Sequence, residues 1–243
     1  MNFEQYSAVL FSAFKSNPRP SEVISKKQEI LDSVYLFHNM TPASTLFVGF
    51  NPAIMLATGS ISITAVDSQV LDFLTENKIS YTYIDTAQLF SHKKKFDSVV
   101  AFDEFFTFAA TDYEQQNLIQ TICNCARDVV ISTVKDYKNQ DFKDREFSHP
   151  AVIRNSGENK IYLEFYDWDQ KDRASWKSYC YEISNPAGET VTYGPFVRRT
   201  MYFKQLAKFS MDAGATHFQV HKNVMYKSLV KKNYEHVVSI IFE

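Results

Sequence analysis

The chain has 243 residues, 45% of them hydrophobic, with 21 Phe against only 6 Gly and 7 Pro. That is enough apolar mass for a substantial core and too little Gly and Pro for long flexible linkers, so one large domain with inserted elements is expected. A formal net charge of −2 argues against general electrostatic binding to nucleic acid or to an anionic membrane surface.

Three cysteines, Cys123, Cys125 and Cys180, form an odd set that suits a reduced, cytoplasmic protein. The N-terminus lacks a basic start, and Glu4 and Lys15 bracket its apolar run, so neither a signal peptide nor a membrane span is expected. Phe3 to Phe14 has the pattern of a helix ended by Asn17-Pro18 and Pro20. Ser21 can cap a second helix whose Val23, Ile24, Ile30, Leu31, Val34 and Leu36 make a helical stripe. Leu46 to Val48 and Ile61 to Val66 read as strands, and Ser68 to Glu76 as a short helix. Ile79 to Ile84 alternates as a third strand ending at Asp85. A basic bridge, His92 to Lys95, leads to a fourth strand, Phe96 to Phe102. Tyr113 to Cys125 reads as a helix and Asp128 to Val134 as a fifth strand, apolar throughout like a strand covered on both faces.

The last third changes character. Lys160 to Trp168 and Ser175 to Ile183 read as strands, Asn185 to Gly188 as a turn, and Thr190 to Tyr193 as a short strand. Arg199 to Ala213 reads as a helix stopped by Gly214, followed by strands Thr216 to His221 and Val237 to Phe242. Strands separated by helices pair in parallel through right-handed crossovers. The expected fold class is therefore α/β: a doubly wound, mostly parallel seven-stranded sheet flanked by helices, with antiparallel C-terminal strands and a β-rich insertion at 140–197.

One stretch carries the functional argument. In STLFVGFNPAIMLATGSISITAVDS, from Ser44 to Ser68, a strand runs into Gly49 and a second strand runs into Asp67. Strand, glycine turn, helix, strand and acid is the order in which a doubly wound sheet meets a nucleotide cofactor. With the tail RRTMYFKQLAKFSMDAGATHFQVHKN, which has a last helix, an Ala-Gly break and a strand, the layout resembles the class I S-adenosylmethionine-dependent methyltransferase family from about Pro20 to the C-terminus.

The resemblance implies S-adenosylmethionine as cofactor and a division into N-terminal helices (1–43), a cofactor-binding core (44–139), the insertion (140–197) and a C-terminal helix and strands (198–243). It also implies cofactor-binding roles for Gly49, Asn51, Asp67 and Asp85. Gly49 and Asn51 tolerate the backbone of a tight turn, whereas Pro52 removes an N–H donor. Phe47 stands where the family has an acid for the methionyl amino group. Losing one charge-assisted hydrogen bond costs about 1.5–3 kcal/mol, or roughly tenfold to hundredfold in affinity. Asp67 would take the ribose hydroxyls or, alternatively, cap the helix at Ser68. Asp85 would meet the adenine or serve as a loop residue.

Phe102 to Phe108 follows strand four, where a methyl acceptor would sit. There Asp103, or Glu104, could orient or deprotonate an amine or hydroxyl, while the four Phe read as packing. Arg145, His149 and Arg154 follow strand five and could recognise a phosphate or carboxylate, or belong to a solvated loop. Arg198 and Arg199 fall at a predicted helix start, where two cations oppose the macrodipole. That points to an anionic partner or an ion-pair network. His217 and His221 lack neighbours for a metal site, and none is expected. Two functions remain open: methyl transfer to a small molecule or protein acceptor, and an inactive methyltransferase fold serving as a structural or assembly subunit. The aromatic-, Lys- and Asn-rich composition would suit an AT-rich genome such as that of a large phage.

Overall fold

A computed structural model of the protein describes residues 3–89, 95–135, 145–154, 159–169, 171, 174–230 and 234–242. His92, Lys93 and Lys94 of the basic bridge lie outside the described residues. Helix α1 (Phe3–Lys15) is apolar on nearly all sides and buries Phe3, Tyr6, Val9, Leu10, Phe11 and Phe14. A helix of that composition must be covered all round. Helix α2 (Pro20–Phe37) has Pro20 at its start, where the missing N–H costs nothing.

Strands β1 (Ser44–Val48) and β2 (Ser60–Thr64) flank the glycine turn, and α3 (Ser68–Glu76) follows. β3 (Thr82–Tyr83), α4 (Thr86–Leu89), β4 (Phe96–Ala101), α5 (Asp112–Cys125) and β5 (Ala126–Val134) complete the alternating half. The third strand is shorter than the alternation of 79–84 predicts. It is an exposed edge strand that pairs only with β2, at Thr82 and Tyr83. β4 is buried along its whole length and β5 along all but its start.

The second half holds β6 (Arg145–Phe147), β7 (Ala151–Arg154), β8 (Asn159–Trp168), β9 (Ser175–Asn185) and β10 (Thr190–Arg199), then α6 (Phe203–Asp212), β11 (His217–Lys227) and β12 (Tyr234–Ile241). The main sheet has the order β3-β2-β1-β4-β5-β12-β11. β1 to β5 are parallel, while β12 runs antiparallel to both β5 and β11. This is the doubly wound, mostly parallel seven-stranded sheet with antiparallel C-terminal strands that the sequence predicts. A second, antiparallel sheet, β10-β9-β8-β6 with β7 also on β8, forms the insertion.

Two expectations are corrected here. Arg198 and Arg199 do not open a helix. β10 continues through Gly194-Pro195 to Arg199, because Phe196 to Arg199 pair with Ser175 to Ser178 of β9, and the helix begins only at Phe203. The cations therefore oppose no macrodipole. The polar stretch after β5 is also not simply loop, since β6 and β7 both pair with β8. One buried cluster runs from α1 through the main sheet to Tyr162, Cys180 and Phe196 of the second sheet. Among the described residues, no helix is long and apolar enough to cross a membrane.

Candidate functional site

The strand order reverses between β1 and β4, and in doubly wound sheets ligands bind outside the carboxyl ends of the strands at such a switch point. A cavity of about 700 Å3 lies there, lined by Val48 and Ala65 from the ends of β1 and β2, Thr86, Ala87 and Leu89 of α4, Phe105 and Phe108 after β4, and α5. Phe3 and Glu4 of α1, with Pro195 and Val197 of β10, close its far side. The lining is mostly apolar, with three Phe rings, and its carboxylates are Glu4 and Glu114.

The turn after β1 is sealed rather than open. Gly49 has φ +82°, and a Cβ there would collide with Cε1 of Phe3. The Phe50 N–H donates to Ser7 Oγ at 2.6 Å, and the Ala53 N–H to Asn51 Oδ1 at 2.9 Å. Helix α1 thus takes up the face of the turn. Asn51 caps the short 3-10 turn Pro52–Met55, and its Nδ2 is buried without a partner among the described residues. Phe47 lies in the core.

Asp67 is the N-cap of α3. Its Oδ1 accepts from the Val70 N–H at 3.1 Å, and it does not line the cavity. Ala65, two residues earlier, does. Asp85 is exposed and accepts from the Ala87 N–H at 2.7 Å, so it caps α4 beside the cavity while Thr86 and Ala87 face it.

The end of β4 is charged and strained. Outside the helix ends at Asn39 and Lys78, the non-Gly residues with positive φ among those described are Ala65, Asp103 and Glu104, all at the carboxyl edge. A non-Gly residue held there costs of order 1–3 kcal/mol, and such residues cluster at functional sites. Asp103 is 3% exposed; Tyr226 donates to its Oδ2, and its Oδ1 has no partner among the described residues. The Glu104 N–H donates to Thr133 Oγ1 at 3.2 Å. Beside it, fully buried Arg198 lies 3.3 Å from Glu164 and 3.9 Å from Glu104, with its guanidinium 4.1 Å from the Phe108 ring centre and 4.5 Å from that of Tyr6. Burial pulls the Arg198 pKa down, but Glu164, Tyr6 and Glu104 outweigh it and hold the group above its ordinary range. The four Phe of this segment are all buried, and Phe105 and Phe108 also wall the cavity. Arg199 pairs with Asp112.

Arg145, His149 and Arg154 are exposed and line no part of this cavity. Arg145 pairs with Asp167 at 3.0 Å, and Arg154 borders a separate shallow depression with Arg19 and Lys26. His221 shares Ser239 Oγ with His38, at 2.9 and 2.8 Å. No group of three or more metal-ligating side chains occurs among the described residues. The sequence reading missed Phe3, Ala65 and Tyr226, whereas the ion-pair network it offered for Arg198 and Arg199 is the one observed.

No protein-family model matches the sequence, and no curated protein matches it. Solved structures do. DesVI of Streptomyces venezuelae superposes with a TM-score of 0.71 at 13% identity, covering 97% of this chain and 98% of that one. SAM-bound CalS10, an amino pentose methyltransferase from Micromonospora echinaspora, gives a TM-score of 0.67 at 10% identity over 95% and 96% of the two chains. The fold is that of the class I S-adenosylmethionine-dependent methyltransferases. A more distant instance is magnesium protoporphyrin IX methyltransferase of Synechocystis PCC 6803 with bound SAH, with a TM-score of 0.51 at 10% identity over 93% and 88%. Against this methyltransferase fold the cavity has the place and volume for an adenosyl group, and its aromatic walls suit a purine or a sulfonium.

Proposed function

We propose that the chain binds S-adenosylmethionine in the cavity at the β1–β4 switch point and transfers its methyl group to an amine or hydroxyl of a small molecule. The observation that carries this reading is the cavity itself, at the carboxyl edge of a class I methyltransferase sheet. Val48, Ala65, Thr86 and Ala87 would hold the adenosyl part. Phe3, Phe105 and Phe108 would exclude water, and Glu4 would supply a carboxylate at the rim. The cofactor, when bound, supplies an electrophilic methyl carbon. The chain's own part is alignment in a dry site. Asp103 is buried against Tyr226 and does not line the cavity, so it is proposed to shape the end of β4 rather than to meet the acceptor. Gly49 and Asn51 are proposed to shape the turn rather than to donate to the ligand, and Asp67 and Asp85 to cap the helices beneath it.

A second reading, a methyltransferase fold kept as an assembly subunit, is favoured by one observation: α1 occupies the glycine turn with Phe3 and Ser7. Calorimetric titration of the full chain with S-adenosylmethionine separates the two. Micromolar binding that Ala87→Trp abolishes, by filling the cavity from its exposed rim, supports the first reading. No heat up to millimolar ligand, from a chain that still unfolds cooperatively, supports the second.

A further inference from the structure

A second cavity, also of about 700 Å3, opens between α2, β7 and the end of β11 and shares no lining residue with the first. Its apolar wall includes Val23, Ile30, Val152, Ile153, Val224 and Leu229. Two polar side chains sit nearly fully buried in that wall, Lys27 at 5% exposure and Ser228 at 4%. Ser228 Oγ has no hydrogen-bond partner among the described residues. Lys27 Nζ donates to the Lys227 carbonyl and rests 3.3 Å from the Tyr226 ring centre. That carbonyl and the Tyr226 ring face take up two of the three N–H groups, and among the described residues the third has no hydrogen-bond acceptor.

Burial pushes the Lys27 pKa down to about 8, while Asp103 and Glu235 behind it pull the other way, so the ammonium stays charged at neutral pH. A desolvated cation with an unused donor is costly to leave at the wall of a half-apolar cavity. An anionic oxygen pair would satisfy it and Ser228 together. Lys26 and Lys227, exposed at the rim, add positive charge. Glu29 at the rim, with Asp103 and Glu235 behind, opposes a second negative charge on the ligand.

We infer that this cavity binds a small aliphatic monocarboxylate, its carboxylate accepting from Lys27 Nζ and Ser228 Oγ and its chain lying against Val152, Ile153, Val224 and Leu229. A pocket with an apolar body and a few convergent donors is the usual form of such a site. The inference does not depend on cofactor binding.

Octanoate is the probe. Titrated into the full chain at pH 7, it should bind saturably with a Kd at or below about 1 mM and move the backbone amide resonances of Lys27, Val152, Ile153 and Ser228. Octanol and octylamine, tested on the unaltered protein, should bind at least about tenfold more weakly, as should octanoate to Ser228→Ala. Inorganic phosphate should not compete. Absence of saturation up to about 10 mM octanoate, equal binding of octanol, or amide shifts confined to other regions would overturn the assignment. Competition by phosphate would overturn the monocarboxylate preference.

Discussion

The ends of β1 and β4 lie on the same edge of the same sheet and are built in opposite ways. After β1 the chain is neutral and closed: Phe47 is in the core, Phe3 covers Gly49, and Ser7 and Asn51 occupy the turn's donors. After β4 it is charged and strained, with Asp103 and Glu104 both left-handed, both buried, and balanced by Tyr226 and Arg198. The buried charge of this sheet edge lies at the fourth strand end and not at the first. A buried carboxylate persists only where partners offset its desolvation, and here those partners come from β10 and β11, far along the chain.

The largest expected effect comes from breaking the charged end. Arg198→Met leaves Glu104 and Glu164 buried without their cation and should cost about 3–5 kcal/mol in urea unfolding. A loss under about 1 kcal/mol would mean that the two carboxylates do not depend on it. Next is the closed end. Gly49→Ala adds a Cβ that meets Phe3 at positive φ, for about 2–4 kcal/mol. In a double-mutant cycle, Phe3→Leu should relieve the steric part and leave the backbone part. Purely additive changes would show that α1 does not press on the turn.

A smaller effect sharpens the contrast. Asp67→Ala should lower stability by about 1 kcal/mol through loss of the α3 cap, with S-adenosylmethionine affinity unchanged. A tenfold loss of affinity would instead place that carboxylate in the site.

Alkaline titration of stability tests the buried groups. Burial pushes Cys123 up to about 12, so an unfolded chain ionises this thiol first and its contribution falls as pH rises above about 9. Lys27 acts in the other direction. Its folded pKa, about 8, lies below the ordinary 10.5, so the unfolded chain holds the extra proton between those values. Stability from this group therefore rises over that window, by about 1 kcal/mol from pH 8 to 9. Lys27→Met should remove the rise and make the alkaline loss begin earlier. An unchanged pH profile would show that the amine is not desolvated.

The parallel half of the fold was legible because β1, β2, β4 and β5 are short apolar runs between amphipathic helices, a pattern set by burial on both faces. The insertion was only partly so. Gly194-Pro195 reads as a break and Arg198-Arg199 as a polar start, yet the strand continues, because pairing with β9 and the carboxylates of β4's loop and β8 stabilise what local propensity disfavours. Asp67 shows a different limit. Its local sequence fits a cap and a ribose ligand equally, since both need an acid between a strand and a helix. In the structure the carboxylate turns to the Val70 N–H and caps α3.

By itself, the sequence determined the alternation of strands and helices, the mostly parallel doubly wound sheet they imply, and the glycine that lets the first strand turn. Those follow from periodicity and from the absence of a Cβ, which are local properties. Only the tertiary structure decided that Phe3 would lie on that glycine, that Arg198 would neutralise carboxylates from two other elements, and that Lys27 would face a second cavity. Such contacts join residues distant along the chain, and burial and electrostatics act on distance in space rather than distance in sequence.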